Sequence, residues 1–164
     1  MRWNRQPGQL PEDPDTVQTT EGVGRAVWLR PVFLWLVFAG GTVGTAARAA
    51  LVTAFPSVNG VPYTVLAINL CGAFLLGTLI EQLARRGPDV GRRRALRLLL
   101  GTGFMGGFTT YSSLAADTAV LLRSGMTVSG MGYALATVVV GAMATAIGIV
   151  IAGRAGRPRP RGKA

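Results

Sequence analysis

The residues best suited to do chemistry lie in one run, 106–113, which reads Gly-Gly-Phe-Thr-Thr-Tyr-Ser-Ser. Two adjacent glycines free the backbone, and the hydroxyl groups that follow can take up hydrogen bonds that a helix would otherwise make. The run lies inside a stretch that is otherwise apolar enough to cross a membrane. Backbone inside a bilayer leaves the helical pattern only where protein buries it or where it lines a cavity. The run therefore predicts a helix break that forms an ion site.

Four apolar segments supply the elements that must position this run. They cover residues 32–54, 64–84, 96–122 and 128–151, and each has at least the roughly 20 residues that cross a bilayer core. The 164-residue chain is 49% hydrophobic and only 15% charged, which is typical of an integral membrane protein rather than a soluble domain. We therefore predict an all-α membrane protein with four transmembrane helices, of which the third is broken at mid-membrane.

The net charge of +10 indicates membrane topology rather than nucleic-acid binding, because the arginines lie in one loop and at the chain ends. The loop between spans two and three is rich in arginine, whereas the loop 55–62 carries no charge. The positive-inside rule then predicts that both termini and the middle loop are cytoplasmic. We expect a multi-pass protein of the plasma membrane. We predict a disordered cytoplasmic tail over 1–31, a membrane domain over 32–151 and a basic cytoplasmic tail over 152–164.

Polar residues inside the spans are candidates for function. Arg48 is either a snorkelling residue or part of a pore vestibule, and Asn69 either bonds another helix or lines a pore. Tyr133 and Thr137 share one face of span four with Gly141 and Thr145, which is a weak signal alone. Gly40 and Gly44 have the spacing of close helix packing.

The remaining chemistry is sparse, which predicts that the protein is not an enzyme. The chain has no histidine and a single cysteine, Cys71, so zinc sites, intramolecular disulfides and histidine catalysis are not expected. We interpret Cys71 as a small buried hydrophobic residue. Glu81 and Asp117 lie near the ends of their spans, and neither receives a functional role.

Three segments together resemble the Fluc (CrcB) family of fluoride-specific ion channels, over about residues 33–151. They are the glycine-rich stretch 40–48, the stretch 68–77 around Asn69, and the stretch 103–112 with its paired glycines and threonines. The resemblance implies four-helix subunits, an antiparallel dimer, two fluoride pores at the interface and one structural sodium ion that is not transported. Its implied function is passive export that lowers cytoplasmic fluoride.

The resemblance also implies roles for particular residues. Backbone carbonyls of Gly106 and Thr109, from both subunits, would hold the sodium ion. Asn69, Tyr133 and Thr137 would line the fluoride pore, and Arg48 its vestibule. Two phenylalanines usual in the family are replaced here by Tyr111 and Leu114, and leucine has no positive ring edge to face fluoride.

The arginine bias and Leu114 favour a heterodimer over a homodimer, because a homodimer must insert in both orientations. The partner would be a homologous subunit of opposite orientation. One alternative is a non-conducting partner subunit within such a channel. A less favoured one is a small proton-coupled multidrug exporter, which needs a carboxylate deep in the membrane.

Overall fold

A computed structural model describes residues 30–155, and these form helices joined by short turns, with no strand among them. The elements are α1 (Pro31–Ala54), α2 (Tyr63–Arg85), α3 (Arg92–Leu96), a π-helical segment (Arg97–Met105), α4 (Gly106–Phe108), α5 (Tyr111–Arg123) and α6 (Thr127–Ala155). Pro31 opens α1, where its missing N–H has no helical partner to lose. The chain turns between α1 and α2 at Asn59 and Gly60, which take positive φ values of 51° and 78°.

Three of the four predicted spans are confirmed as helices long and apolar enough to cross a membrane, namely α1, α2 and α6. The predicted span 96–122 is instead divided among shorter elements, so its crossing of the membrane as one unit stays a prediction. Residues 152–155 continue α6. The rest of the predicted basic tail and residues 1–29 of the predicted N-terminal tail lie outside the described residues.

Glycines bring α1 against the π-helical segment at backbone distance. A Cβ on Gly40 would overlap the carbonyl oxygen of Leu99, and one on Gly44 would overlap that of Phe104. The predicted close packing at Gly40 and Gly44 is therefore confirmed, with the π-helical segment as the partner. The contact of Gly44 lies further along the π-helical segment than that of Gly40, so α1 and this segment run in the same direction.

The other half of the molecule pairs α2 with α6, again in the same direction. Gly77 lies against the backbone of Thr145, and Gly148 lies against that of Phe74. Helix α5 runs antiparallel to α6, and a small apolar core between them contains Leu114, Leu121 and Tyr133. One end of the bundle therefore holds the start of α1, the end of α2, the start of α3 and the end of α6.

The outer faces of the long helices are apolar and exposed, as lipid-facing or partner-facing surfaces must be. Cys71 lies on such a face of α2 and is exposed, so the expectation that it would be buried is wrong. The apolar residues around Cys71 are alike on both faces of α2, so their types do not indicate which face meets α6.

We expect Gly44→Ala to destabilise the protein by about 1–3 kcal/mol, because the added methyl group must displace backbone rather than a side chain. Gly132→Ala is the matched control, since a Cβ at Gly132 in α6 would meet nothing within 4 Å. Thermal unfolding in detergent, followed by circular dichroism, measures both. Equal unfolding midpoints for the two variants would contradict the packing described for α1.

Candidate functional site

The helical path is interrupted at Thr109 and Thr110, within the run that predicted a break. Helix α4 ends at Phe108, and α5 begins at Tyr111. Between them Thr109 has φ −78° and ψ 156°, and Thr110 has φ −149° and ψ 115°, so both residues are extended. That this interruption lies at mid-membrane depth stays a prediction.

The side chain of Asn69 on α2 pairs with both backbone groups of Thr110. The Thr110 N–H donates to Asn69 Oδ1 at 2.8 Å, and Asn69 Nδ2 donates to the Thr110 carbonyl at 3.2 Å. In an unbroken α-helix the Thr110 N–H would bond to the carbonyl four residues earlier, that of Gly106. Asn69 therefore diverts the donor that the Gly106 carbonyl would otherwise receive.

The hydroxyl of Thr110 likewise takes a backbone donor away from a carbonyl, in the first turn of α5. Thr110 caps α5, and its Oγ1 accepts the Ser113 N–H at 3.1 Å. In an unbroken helix that N–H would bond to the carbonyl of Thr109. Two carbonyls three residues apart, those of Gly106 and Thr109, thus lose their α-helical donors to side chains.

The carbonyl of Gly107 lies between these two and is covered from α1. It accepts a hydrogen bond from Arg48 Nε at 3.2 Å and a longer one from Thr45 Oγ1 at 3.4 Å. Arg48 is half-buried, and its guanidinium lies at the break rather than out along the helix. This contact depends on the close packing of α1, because a Cβ on Gly107 would overlap the carbonyl of Gly41.

Free backbone carbonyls are hard oxygen ligands, the type that alkali and alkaline-earth cations bind. Gly106 is exposed, and a Cβ there would meet nothing within 4 Å, so its surface is open to a neighbouring molecule or ion. Among residues 30–155, no group of three or more His, Cys, Asp or Glu side chains could hold a metal ion.

A groove of about 320 Å³ opens beside the break, between α2, α5 and α6. Of the predicted pore residues, it brings together Asn69, Tyr111, Leu114 and Thr137, and Thr109 also lines it. Tyr111 is 82% exposed, whereas Leu114 is 7% exposed and packs into the core with Leu121. Thr137 is buried, and its hydroxyl donates to the carbonyl of Tyr133 at 2.7 Å.

Tyr133 does not line this groove. It is buried in the core cluster, and its hydroxyl oxygen has no hydrogen bond among residues 30–155. Asp117 on α5 faces this hydroxyl closely enough to interact electrostatically, and its Oδ2 is likewise buried without a hydrogen-bond partner in that range. Sequence reasoning gave Asp117 no role. The available signal was its spacing, three residues after Leu114 and therefore on the same face of α5.

Comparison with known proteins agrees with the resemblance found in the sequence. Residues 35–149 match the model of the family described as CrcB-like protein, Camphor Resistance (CrcB). The chain is 50% identical over 115 residues to fluoride-specific ion channel FluC 1 of Cutibacterium acnes, which covers 70% of this chain and 80% of the relative. It is 52% identical over 116 residues to FluC 2 of Leifsonia xyli, covering 71% and 80%. It is 38% identical over 121 residues to FluC of a Chelativorans species, covering 73% and 94%.

We expect Asn69→Ala to destabilise the protein by about 1–3 kcal/mol, because it leaves the backbone groups of Thr110 without partners. The control is Thr42→Ala, which removes only a hydroxyl bonded to the carbonyl of Phe38 one turn earlier in the same helix. Chemical denaturation in detergent compares the two variants. The assigned role of Asn69 is wrong if both variants unfold at the same denaturant concentration as the parent chain.

Proposed function

This chain belongs to the CrcB family, and from that premise we propose that it is a subunit of a passive fluoride-specific channel rather than an enzyme. The observation that carries the proposal is the groove at the helix break, which brings the Asn69 amide to the same surface as the Tyr111 ring. Fluoride is small and strongly hydrated, so a pore must replace its water with hydrogen-bond donors. A carboxamide has two N–H donors, and Asn69 uses one of them on Thr110, which leaves the second for the groove.

The carbonyls of Gly106 and Thr109 are proposed to hold a structural sodium ion that is not transported. Their fit to sodium rests on the two diverted hydrogen bonds, which leave two hard oxygens three residues apart in sequence without their α-helical donors. A bound sodium ion would be coordinated by backbone carbonyl oxygens of two subunits and would thereby hold the subunits together. Asn69 and Thr110 keep the two carbonyls free, and Arg48 fixes Gly107 between them.

Two such carbonyls leave a sodium ion under-coordinated, so a second subunit must complete the site. We propose an antiparallel dimer, with the partner a homologous chain inserted in the opposite orientation. Support for a heterodimer comes from the arginines of the described chain, because Arg85, Arg86, Arg92–Arg94, Arg97 and Arg154 all belong to one end of the bundle. That end is proposed to be cytoplasmic, which fixes a single orientation for this chain in the plasma membrane.

Leu114 favours a second candidate function, that of a subunit whose own pore is silent. Its side chain is withdrawn into the core and offers no aromatic edge to the groove. In that case the partner supplies the conducting pore, and this chain supplies orientation and half of the sodium site. Both functions predict a dimer, but only the first predicts fluoride flow along the groove of this chain.

Passive flow is sufficient for export. Hydrogen fluoride crosses a bilayer as a neutral molecule and dissociates inside, and the trapped anion then leaves under a negative-inside potential. No residue of the groove needs to move a proton or a phosphoryl group for this flow.

We expect liposomes that contain this chain together with its homologous partner to release fluoride, as measured with a fluoride electrode in sodium buffer. Liposomes should release none when they contain this chain alone, purified in mild detergent from cell membranes where it inserts in one orientation, because no antiparallel dimer assembles in those membranes. Release by the chain alone would establish a self-sufficient channel and overturn the heterodimer. Silence in both, with dimers verified by size exclusion, would overturn both functions, because each needs one conducting pore in the heterodimer.

Sodium should raise the thermal stability of the dimer relative to N-methylglucamine buffer, since it binds only the assembled carbonyls. We expect Thr110→Val to abolish this increment, because the Ser113 N–H then returns to the carbonyl of Thr109. Thr110→Ser should keep it, and Ser112→Ala is a control that removes only a hydroxyl bonded to Thr110. A sodium increment that is unchanged in Thr110→Val would contradict the role given to the Thr109 carbonyl.

A further inference from the structure

A second cleft, distinct from the groove at the break, lies at the arginine-rich end of the bundle. It has a volume of about 270 Å³ and is lined by Gln82, Arg85, Arg86, Ala152 and Ala155, so it separates the last turns of α2 and α6. Helix α6 contributes only methyl groups to its wall. At the adjacent Gly153, a Cβ would lie 2.9 Å from Arg85 Nη2, so small residues on α6 make room for that guanidinium.

Three arginines at this end, Arg93, Arg94 and Arg97, already close the loop between α2 and α3. Arg93 donates to the carbonyls of Arg86 and Pro88 at 2.6 and 2.9 Å. Arg97 donates through Nε and Nη2 to Asp89 Oδ2, and Arg94 donates to the Asp89 carbonyl. These contacts fix the loop that follows Arg86.

The two arginines of the cleft keep donors for another molecule. Arg85 is held by Glu81 through its Nε, an i,i+4 contact that leaves its terminal nitrogens toward the cleft. The exposed guanidinium of Arg86 has no hydrogen bond or ion pair with any group in residues 30–155. Its backbone is nevertheless anchored, because its carbonyl accepts from Arg93.

We propose that this cleft binds the phosphate of an anionic phospholipid headgroup. A guanidinium presents a planar fork of donors that matches phosphate oxygens, and two neighbouring guanidiniums with the Gln82 amide supply more donors than one phosphate needs. The ends of membrane-spanning helices lie at headgroup level, where anionic lipids concentrate. The exposed side chains of Ile151 and Ile147 continue the α6 surface toward the bilayer core, so acyl chains have an apolar face to follow.

Native mass spectrometry of the intact assembly tests this, with palmitoyl-oleoyl phosphatidylglycerol against the zwitterionic phosphatidylcholine of the same chains. The assembly should retain phosphatidylglycerol preferentially, and Arg86→Gln should weaken that retention about tenfold, as loss of a charge-assisted hydrogen bond does. The matched control is Arg92→Gln, which removes the same charge from an exposed position at the same end but outside the cleft. It should leave retention unchanged.

Ala155→Leu is a second variant that fills the cleft from its exposed α6 side without changing charge, and it should weaken retention as well. Equal losses in Arg86→Gln and Arg92→Gln would show diffuse attraction and overturn the site, as would full retention in Ala155→Leu. Full displacement of the lipid by soluble glycerol phosphate at equal concentration would show that the cleft binds free phosphate, and would also overturn the proposal. The measurement of lipid retention needs no fluoride, so its result tests the headgroup site independently of the proposed channel function.

Discussion

Backbone hydrogen bonds released at Thr109 and Thr110 must be replaced, because unpaired backbone groups are costly in an apolar environment. Three side chains replace part of them: Asn69 on α2 pairs with the Thr110 N–H, Thr110 accepts the Ser113 N–H, and Arg48 on α1 donates to the Gly107 carbonyl. The bonds from Asn69 and Arg48 form only if α2 and α1 are each aligned at one position along their length relative to the break. The glycines of α1 allow the approach that brings Arg48 to Gly107, and Gly72, one turn after Asn69, lies against the side chain of Thr109. The packing of the bundle and the chemistry of the site are thus consequences of the same interruption.

The arginine-rich end of the bundle also has a structural role, apart from the orientation proposed for it. Arginine side chains fix the loop between α2 and α3, since they donate hydrogen bonds to its backbone carbonyls and to the carboxylate of Asp89. Arginines that only set membrane topology would not need fixed contacts. Here several of them are held by hydrogen bonds that fix the loop between the end of α2 and the start of α3. Under the proposed single orientation, an antiparallel partner has to be a different chain. The proposed dimer and the proposed headgroup site therefore depend on the same arginines in separate ways.

Sequence alone could predict the three long apolar helices, the position of the break and the close packing of Gly40 and Gly44, since each has a local signal in composition or spacing. It could not predict that Asn69 bonds Thr110. The two residues are 41 positions apart in the chain, and no local pattern indicates which distant group an amide in a span will bond. The π-helical segment has no local signature, since its sequence is as compatible with an α-helix. The pore role that the resemblance implies for Tyr133 stays a prediction, and in the described chain its ring packs in the core with Leu114. Helix periodicity gives a face but not the neighbour that the face meets.

The sodium dependence of the Gly106 carbonyl carbon in NMR tests the central claim most directly. Labelling glycine with both ¹³C-carbonyl and ¹⁵N marks only two peptide bonds in the chain as directly coupled pairs, those of Gly40–Gly41 and Gly106–Gly107. Gly41→Ala removes the first pair and assigns the signals, at a position where a Cβ lies 3.8 Å from its nearest neighbour. We predict that sodium shifts the Gly106 carbonyl signal of the assembled dimer and leaves that of Gly40 in place. No shift at Gly106, or the same shift at both, would contradict a cation site built from the carbonyls that the break sets free.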